Sequence, residues 1–225
     1  LSGLVPHAVT GDNGVLDLQQ LAGLIRPDNE HFTRTRLLCL ENTHNRRSGG
    51  VLAPEDVGAI GDVAHRYDAA LHVDGARIFN AAVALGVPVA DLVRPADTVS
   101  FCLSKGLSCP VGSVLCGSED FIDQARRWRK MVGGGMRQAG VVAAAGVVAL
   151  ETMVERLADD PRTAARLAQG LAGLPGIQAD PERVQTNIVM MDWTGGPATD
   201  FIGRLEERGE GAGAGACINL PMHAG

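Results

Sequence analysis

No run in this 225-residue sequence approaches the roughly 20 apolar residues that a membrane span requires, and no basic region followed by an apolar stretch opens it. Neither a membrane protein nor a secreted one is expected. Positive charge is in deficit: 20 Lys and Arg against 26 Asp and Glu leave a net charge of -6, which gives no electrostatic reason to expect a nucleic-acid partner. The five cysteines, Cys39, Cys102, Cys109, Cys116 and Cys217, include no Cys-x-x-Cys pair. They read as reduced and mostly buried thiols of an intracellular, cytoplasmic protein, with Cys102 a small core hydrophobe. His44, His65 and His72 lack a metal spacing such as His-Glu-x-x-His, and no metal is assigned. The triple glycine Gly133 to Gly135 has neither a following Lys-Ser/Thr nor a preceding strand, which argues against a nucleotide P-loop.

What remains is an ordinary globular composition, 45% hydrophobic and 20% charged, long enough for a sizeable core. Three apolar runs, Arg36 to Glu41, Ala70 to Asp74 and Thr98 to Ser104, read as buried strands with polar residues at their carboxyl ends. Between the first two, Val57, Ile60, Val63, Ala64 and Tyr67 recur on one face of a helix spanning Pro54 to Asp68, with Pro54 in its first turn. Ile78 to Leu85 is a short helix candidate, and Pro110 to Gly117 a further strand. This alternation predicts an α/β fold with a largely parallel sheet and helices on both faces. Downstream, Ser118 is placed to cap a helix that is acidic at its start and basic at its end. Gln138 to Leu157 is Ala/Val-rich enough for a buried helix, and Asp160-Pro161 has the residues to open another. Gly173 to Asp180 reads as a boundary loop and Asn187 to Trp193 as a strand, so a smaller domain is expected to begin between about residues 158 and 185.

In open α/β sheets ligands bind at the carboxyl ends of strands, which singles out Glu41 to Asn45, Asp74 to Arg77 and Ser104 to Gly106. A carboxylate ending a strand, as Asp74 does, is costly unless paired; Arg77 is one candidate partner, and an ordinary strand-end salt bridge is the plain alternative. Lys105 follows an apolar run directly, where desolvation would depress its pKa and leave the nucleophilic amine that Schiff-base chemistry uses. A strand-end Lys with a strand-end Asp is the pair that a pyridoxal phosphate site needs: one bonds the cofactor, the other keeps its ring nitrogen protonated.

The segments LENTHN (Leu40 to Asn45), HVDGARIFNAA (His72 to Ala82), SFCLSKGL (Ser100 to Leu107), PVGS (Pro110 to Ser113) and RKMVGGGMRQAGVVAAAG (Arg129 to Gly146) closely resemble the low-specificity L-threonine aldolases, within the β-eliminating lyase group of fold-type I pyridoxal-phosphate enzymes. The resemblance runs in order from about His31 to Asn187. It implies that Lys105 bonds the cofactor, that Asp74 partners the pyridinium, and that Arg77 lies near the phenolic oxygen and the substrate carboxylate. It further implies His31 near the substrate hydroxyl, with a surface histidine the alternative, and Arg137 and Lys130 as substrate-binding cations; for Lys130, helix-end charge serves equally. The implied reaction is retro-aldol cleavage of L-threonine or L-allo-threonine to glycine and acetaldehyde by a cytoplasmic homotetramer.

The family's Gly-Thr phosphate-holding turn, ring-stacking histidine and C-terminal Arg-Leu-Val-Thr-His segment are not found in the chain. A fragment is therefore expected, residues 1–160 forming part of the large cofactor-binding domain and residues 161–225 a linker helix and an incomplete small domain. The rival reading is a truncated, catalytically silent protein that keeps the fold and its subunit contacts. Another lyase or an aminotransferase of the same cofactor fold suits the motifs less well.

Overall fold

The computed structural model describes residues 3–12, 15–207 and 217–219. A short antiparallel pair, β1 (Gly11–Asp12) and β2 (Val15–Leu16), precedes α1 (Leu18–Leu24), which Asp17 caps by accepting from the N–H groups of Gln19 and Gln20. The central sheet follows: β3 (Leu37–Glu41), α2 (Pro54–Arg66), β4 (Ala70–Asp74), α3 (Ile78–Leu85), α4 (Val89–Leu92), β5 (Thr98–Cys102) and β6 (Ser113–Cys116). Its order is β3-β4-β5-β6, with β3, β4 and β5 parallel and β6 antiparallel to β5. The largely parallel α/β expectation holds.

Each element follows from its residues. The α2 helix starts at Pro54, whose missing N–H costs nothing in a first turn, while the N–H of Ala53 donates to Asp56 Oδ2 at 3.0 Å. Its inward face, Val57, Ile60, Val63 and Ala64, packs with Leu38 and Leu40 of β3, Leu71 and Val73 of β4, Val99 of β5 and Ile78, Ala81 and Ala82 of α3. Tyr67, expected on that face, is the residue that ends the helix and stays 45% exposed, because the chain has already left helical geometry there. Strand alternation sends Cys39, His72, Asp74, Thr98 and Ser100 to the opposite face of the sheet, away from α2 and α3.

Asp97, just before β5, ties this layer together: its Oδ2 accepts the N–H of Leu71 at 2.7 Å and lies 2.9 Å from His65 Nε2. Burial pushes its carboxyl up, but the bonds from Leu71 and His65 and the charge of His65 outweigh it and hold the group below the usual carboxylate range. A depressed folded pKa contributes stability that is present above the unfolded value of about 3.9 and lost as pH falls through the folded value. Asp97→Asn is therefore expected to lower stability at pH 7 by about 1 kcal/mol or less, as befits a solvent-screened pair. Urea unfolding at pH 7 and at pH 3 checks this: the gap to the unaltered protein should shrink at pH 3, and an equal gap at both would exclude the ionic origin.

Beyond β6, Ser118 caps α5 (Glu119–Met131), its Oγ accepting from the N–H of Phe121 at 3.3 Å. The Ala/Val-rich stretch forms α6 (Gly140–Thr152), but of that helix only Gly146 and Ala149 are buried, and Val141 is 78% exposed. A helix that is apolar all round buries only the side it can pack, here against Leu103, Leu107 and Leu157. The chain then enters α7 (Asp159–Ala172), β7 (Ile177–Ala179), β8 (Ile188–Trp193), α8 (Ala198–Glu207) and β9 (Cys217–Asn219). The stretch read as a boundary loop thus contains β7, which pairs antiparallel with β8, while β9 joins β8 in parallel. Ala164 and Ala168 of α7 close over Val189. Asp160 does not cap α7; it lies within its first turn and is buried, facing Asn80.

The cysteines depart from expectation. Cys109 is buried, Cys102 is half-buried, and Cys39 and Cys116 are exposed, because β3 and β6 are the two outer strands of the central sheet. The side chain of Cys217 and the tail from residue 220 onward lie outside the described residues. No helix among the described residues is long and apolar enough to cross a membrane.

Candidate active site

Parallel pairing brings the carboxyl ends of β3 and β4 level, with Glu41 opposite Asp74 and Asp74 opposite Ser100 of β5. The loop after β3 is folded back by Asn42, whose Oδ1 accepts the N–H of Leu52 at 3.2 Å and whose Nδ2 donates to the Leu52 carbonyl at 3.0 Å. That closure sets Asn45 at the rim, where its N–H donates to Glu41 Oε1 at 3.1 Å and its own Oδ1 accepts from Arg77 Nη1 at 3.2 Å. Arg77, immediately before α3, is only 8% exposed. A planar guanidinium so placed has a defined direction.

Asp74 is exposed, and its Oδ1 accepts the N–H of Ala76 at 3.1 Å. The next residue must be glycine: a Cβ on Gly75 would stand 2.9 Å from Ile78 Cβ and 3.0 Å from the Ser100 carbonyl, which instead accepts the Gly75 N–H at 2.7 Å. Two residues earlier on the same face, His72 Nδ1 is 2.8 Å from Thr98 Oγ1 and Nε2 is 3.4 Å from Ser100 Oγ. The field of the Asp74 carboxylate reaches β3, where partial desolvation against the sheet and then that negative charge push the otherwise exposed Cys39 thiol up.

Lys105 follows β5 on a tight turn. The N–H of Ser108 donates to the Lys105 carbonyl at 2.9 Å, that of Cys109 to Leu103 at 3.0 Å, and that of Leu103 to Gly112 at 2.9 Å. Leu103 and Leu107 turn inward to pack against Ala149 and Leu157. With its apolar neighbours inward, Lys105 itself is exposed, which corrects the expectation of an amine desolvated at a strand end. The apolarity of that segment belongs to Leu103, not to the surroundings of the amine.

Asp74 and Arg77 at the end of β4 and Lys105 in the turn after β5 thus all lie at or beyond the carboxyl ends of two adjacent parallel strands: a carboxylate, a buried guanidinium and an amine. This set can hold a carbonyl compound covalently, keep a proton on a ring nitrogen and orient an anion. The contacts of the remaining candidates are local. His31, in the segment leading into β3, donates its N–H to Asn29 Oδ1 at 2.9 Å, and its ring lies 3.7 Å from Glu30. Lys130 is in the last turn of α5 with its side chain along Gly135, and Arg137 is exposed in the segment before α6. Sequence reasoning assigned no role to Asn45, His72 or Asn80. The available signal was the recurrence of polar side chains inside otherwise apolar strand and helix segments.

A family model described as "Beta-eliminating lyase" matches residues 1–194. The chain is 44% identical over 215 residues to "Low-specificity L-threonine aldolase 1" of Arabidopsis thaliana, covering 93% of this chain and 60% of that protein. It is 48% identical over 181 residues to "Low specificity L-threonine aldolase" of Escherichia coli K12, covering 80% of this chain and 52% of that one. The chain therefore spans somewhat over half the length of these curated relatives. Among solved structures, a threonine aldolase from Leishmania major superposes with a TM-score of 0.60 at 18% identity, covering 74% of this chain and 49% of that one. A PLP-dependent aminotransferase from Streptococcus suis superposes at 0.64 with 20% identity, covering 89% and 53%. At such identities these two speak for the fold alone.

Proposed function

Because the chain belongs to the β-eliminating lyase family, we propose that it acts as a pyridoxal-phosphate-dependent aldehyde-lyase, cleaving L-threonine, L-allo-threonine and related β-hydroxy-α-amino acids to glycine and the matching aldehyde. The observation that carries this reading is the rim formed by Asp74, Arg77 and Lys105, in a chain nearly half identical to proteins named for that reaction. The donor set fits the cofactor: Lys105 for the aldehyde carbon and Asp74 for the ring nitrogen. Bound there, pyridoxal phosphate supplies an electron sink for the pair released when the Cα–Cβ bond breaks.

The chain's own residues do the rest. Asp74 holds the proton on the ring nitrogen by its negative charge, and its exposure on the rim leaves the carboxylate accessible to a bound ring. Arg77, held by Asn45, presents a fixed positive charge to the substrate carboxylate or the phenolic oxygen. His31, directly or through a water, takes the proton of the β-hydroxyl, and Arg137 and Lys130 add positive charge for the carboxylate. The assembly in this reading is a cytoplasmic homotetramer. Residues 1–160 belong to the large domain and residues 161–225 to a linker helix and part of a small one, a division supported by the separate β7-β8-β9 sheet.

The test is to incubate the cofactor-supplemented protein with L-threonine and to measure both products. Glycine and acetaldehyde are expected in equal amounts, as the atom balance of the cleavage demands. Absence of both products from threonine, allo-threonine and phenylserine alike would remove the reading.

A further inference from the structure

Behind the turn that carries Lys105 lies a set of side chains that the proposed chemistry does not use. Gly106 sits flat against α3: a Cβ there would stand 2.7 Å from Asn80 Oδ1 and 3.0 Å from Leu157 Cδ2. Asn80, 4% exposed, donates Nδ2–H to Asp160 Oδ2 at 3.1 Å. The other oxygen of Asp160 accepts from Arg156 Nη1 at 3.4 Å, and Arg156 Nη2 returns to the Gly106 carbonyl at 3.2 Å. The contacts close on themselves, from Gly106 through Asn80, Asp160 and Arg156 back to Gly106. They join three stretches remote in sequence: the helix after Asp74, the lysine turn, and the junction between α6 and α7.

A carboxylate as buried as Asp160, at 7% exposure, is kept in a fold where its oxygens are both satisfied, and here the two partners are the groups that touch Gly106. Arg156 is the hinge of the arrangement. Its planar fork spends one nitrogen on the carboxylate and the other on a backbone carbonyl one residue from the reactive amine. Ser108 holds the far side of the same turn, through its N–H to the Lys105 carbonyl. We propose that Asn80, Arg156 and Asp160 form a clamp on Gly106 that fixes the direction in which the Lys105 side chain leaves the backbone, making them positioning residues for the amine. This rests on the lyase reading only in taking Lys105 as the reactive group.

The experiment uses the 225-residue chain without cofactor or substrate, so that its outcome is independent of the cleavage assay. Hydrogen–deuterium exchange and the rate of Lys105 modification by trinitrobenzenesulfonate, resolved by peptide mapping, are compared for the unaltered chain, Arg156→Met and Arg156→Lys. In Arg156→Met, amides of residues 103–109 are expected to exchange at least tenfold faster and the Lys105 modification rate to change at least threefold, with residues 37–41 and 70–74 unaffected. Arg156→Lys should restore part of both. Arg156 is 40% exposed and belongs to none of the buried apolar clusters, so the cost of its replacement falls on the Asp160 carboxylate it leaves behind, and residues 37–41 and 70–74 report whether that cost stays local. Should Arg156→Met prove insoluble, Arg156→Gln serves with the same expectation. Unchanged exchange over 103–109, an unchanged Lys105 rate, or a uniform acceleration over all peptides would each overturn the proposal.

Discussion

A Lys105→Ala protein is expected to fold as before, to carry no pyridoxyl label after incubation with pyridoxal phosphate and borohydride, and to lose at least about a thousandfold in threonine cleavage, some 4 kcal/mol of barrier. The fold is insulated from the change because Lys105 is exposed, while Leu103 and Leu107 on either side do the packing. The loss is steep because no other side chain on the rim can replace a primary amine: Arg77 is a planar guanidinium held to Asn45. Lys105→Arg sharpens the test by keeping the positive charge and removing the nucleophile. It should behave as Lys105→Ala does in labelling and turnover. A Lys105→Ala protein that kept ordinary turnover, or a label that mapped to Lys130 instead, would end the assignment.

Much of the frame was legible because local signals and tertiary demands agree. Ala70 to Asp74 and Ile78 to Leu85 begin and end as the sequence suggests, since an apolar run bounded by Asp-Gly leaves little choice of register or helix start. The rim was legible for the same reason, polar residues at the ends of apolar strands. What escaped was set by distance in sequence. Asp160 beside Pro161 has the local look of a helix cap, yet its partner Asn80 is 80 positions away, and burial there follows from that pairing. Lys105 looked buried because it directly follows the strand run Thr98 to Ser104, with Val99, Phe101, Cys102 and Leu103 apolar; strand geometry ends at Cys102, and Leu103 turns into a second cluster. Cys39 alternates outward on an outer strand, which depends on strand order, and no local pattern encodes strand order.

Asp74→Ala separates electrostatics from attachment. Lys105 is untouched, so labelling should persist at saturating cofactor, while turnover should fall by about 10²–10³-fold, the loss typical of one removed transition-state-stabilising contact. Cofactor affinity should weaken by about ten- to a hundredfold, since a charge-assisted hydrogen bond contributes about 1.5–3 kcal/mol. A second measurement needs no cofactor. The Cys39 thiol, although exposed, is pushed up first by partial burial against the sheet and then by the charge of Asp74. Removing the carboxylate leaves the burial and removes the repulsion, so the thiolate forms more readily and the pH midpoint of Cys39 alkylation should move down, though not to that of a fully solvated thiol. Asp74→Asn should give the same shift, since it too removes the charge while keeping an oxygen for the Ala76 N–H. The two measurements interlock. A lowered Cys39 midpoint with near-normal turnover would mean that the charge is present but not used as the ring-nitrogen partner. Lost turnover with an unmoved midpoint would mean that Asp74 acts on the rim through its bond to Ala76 and not through its field.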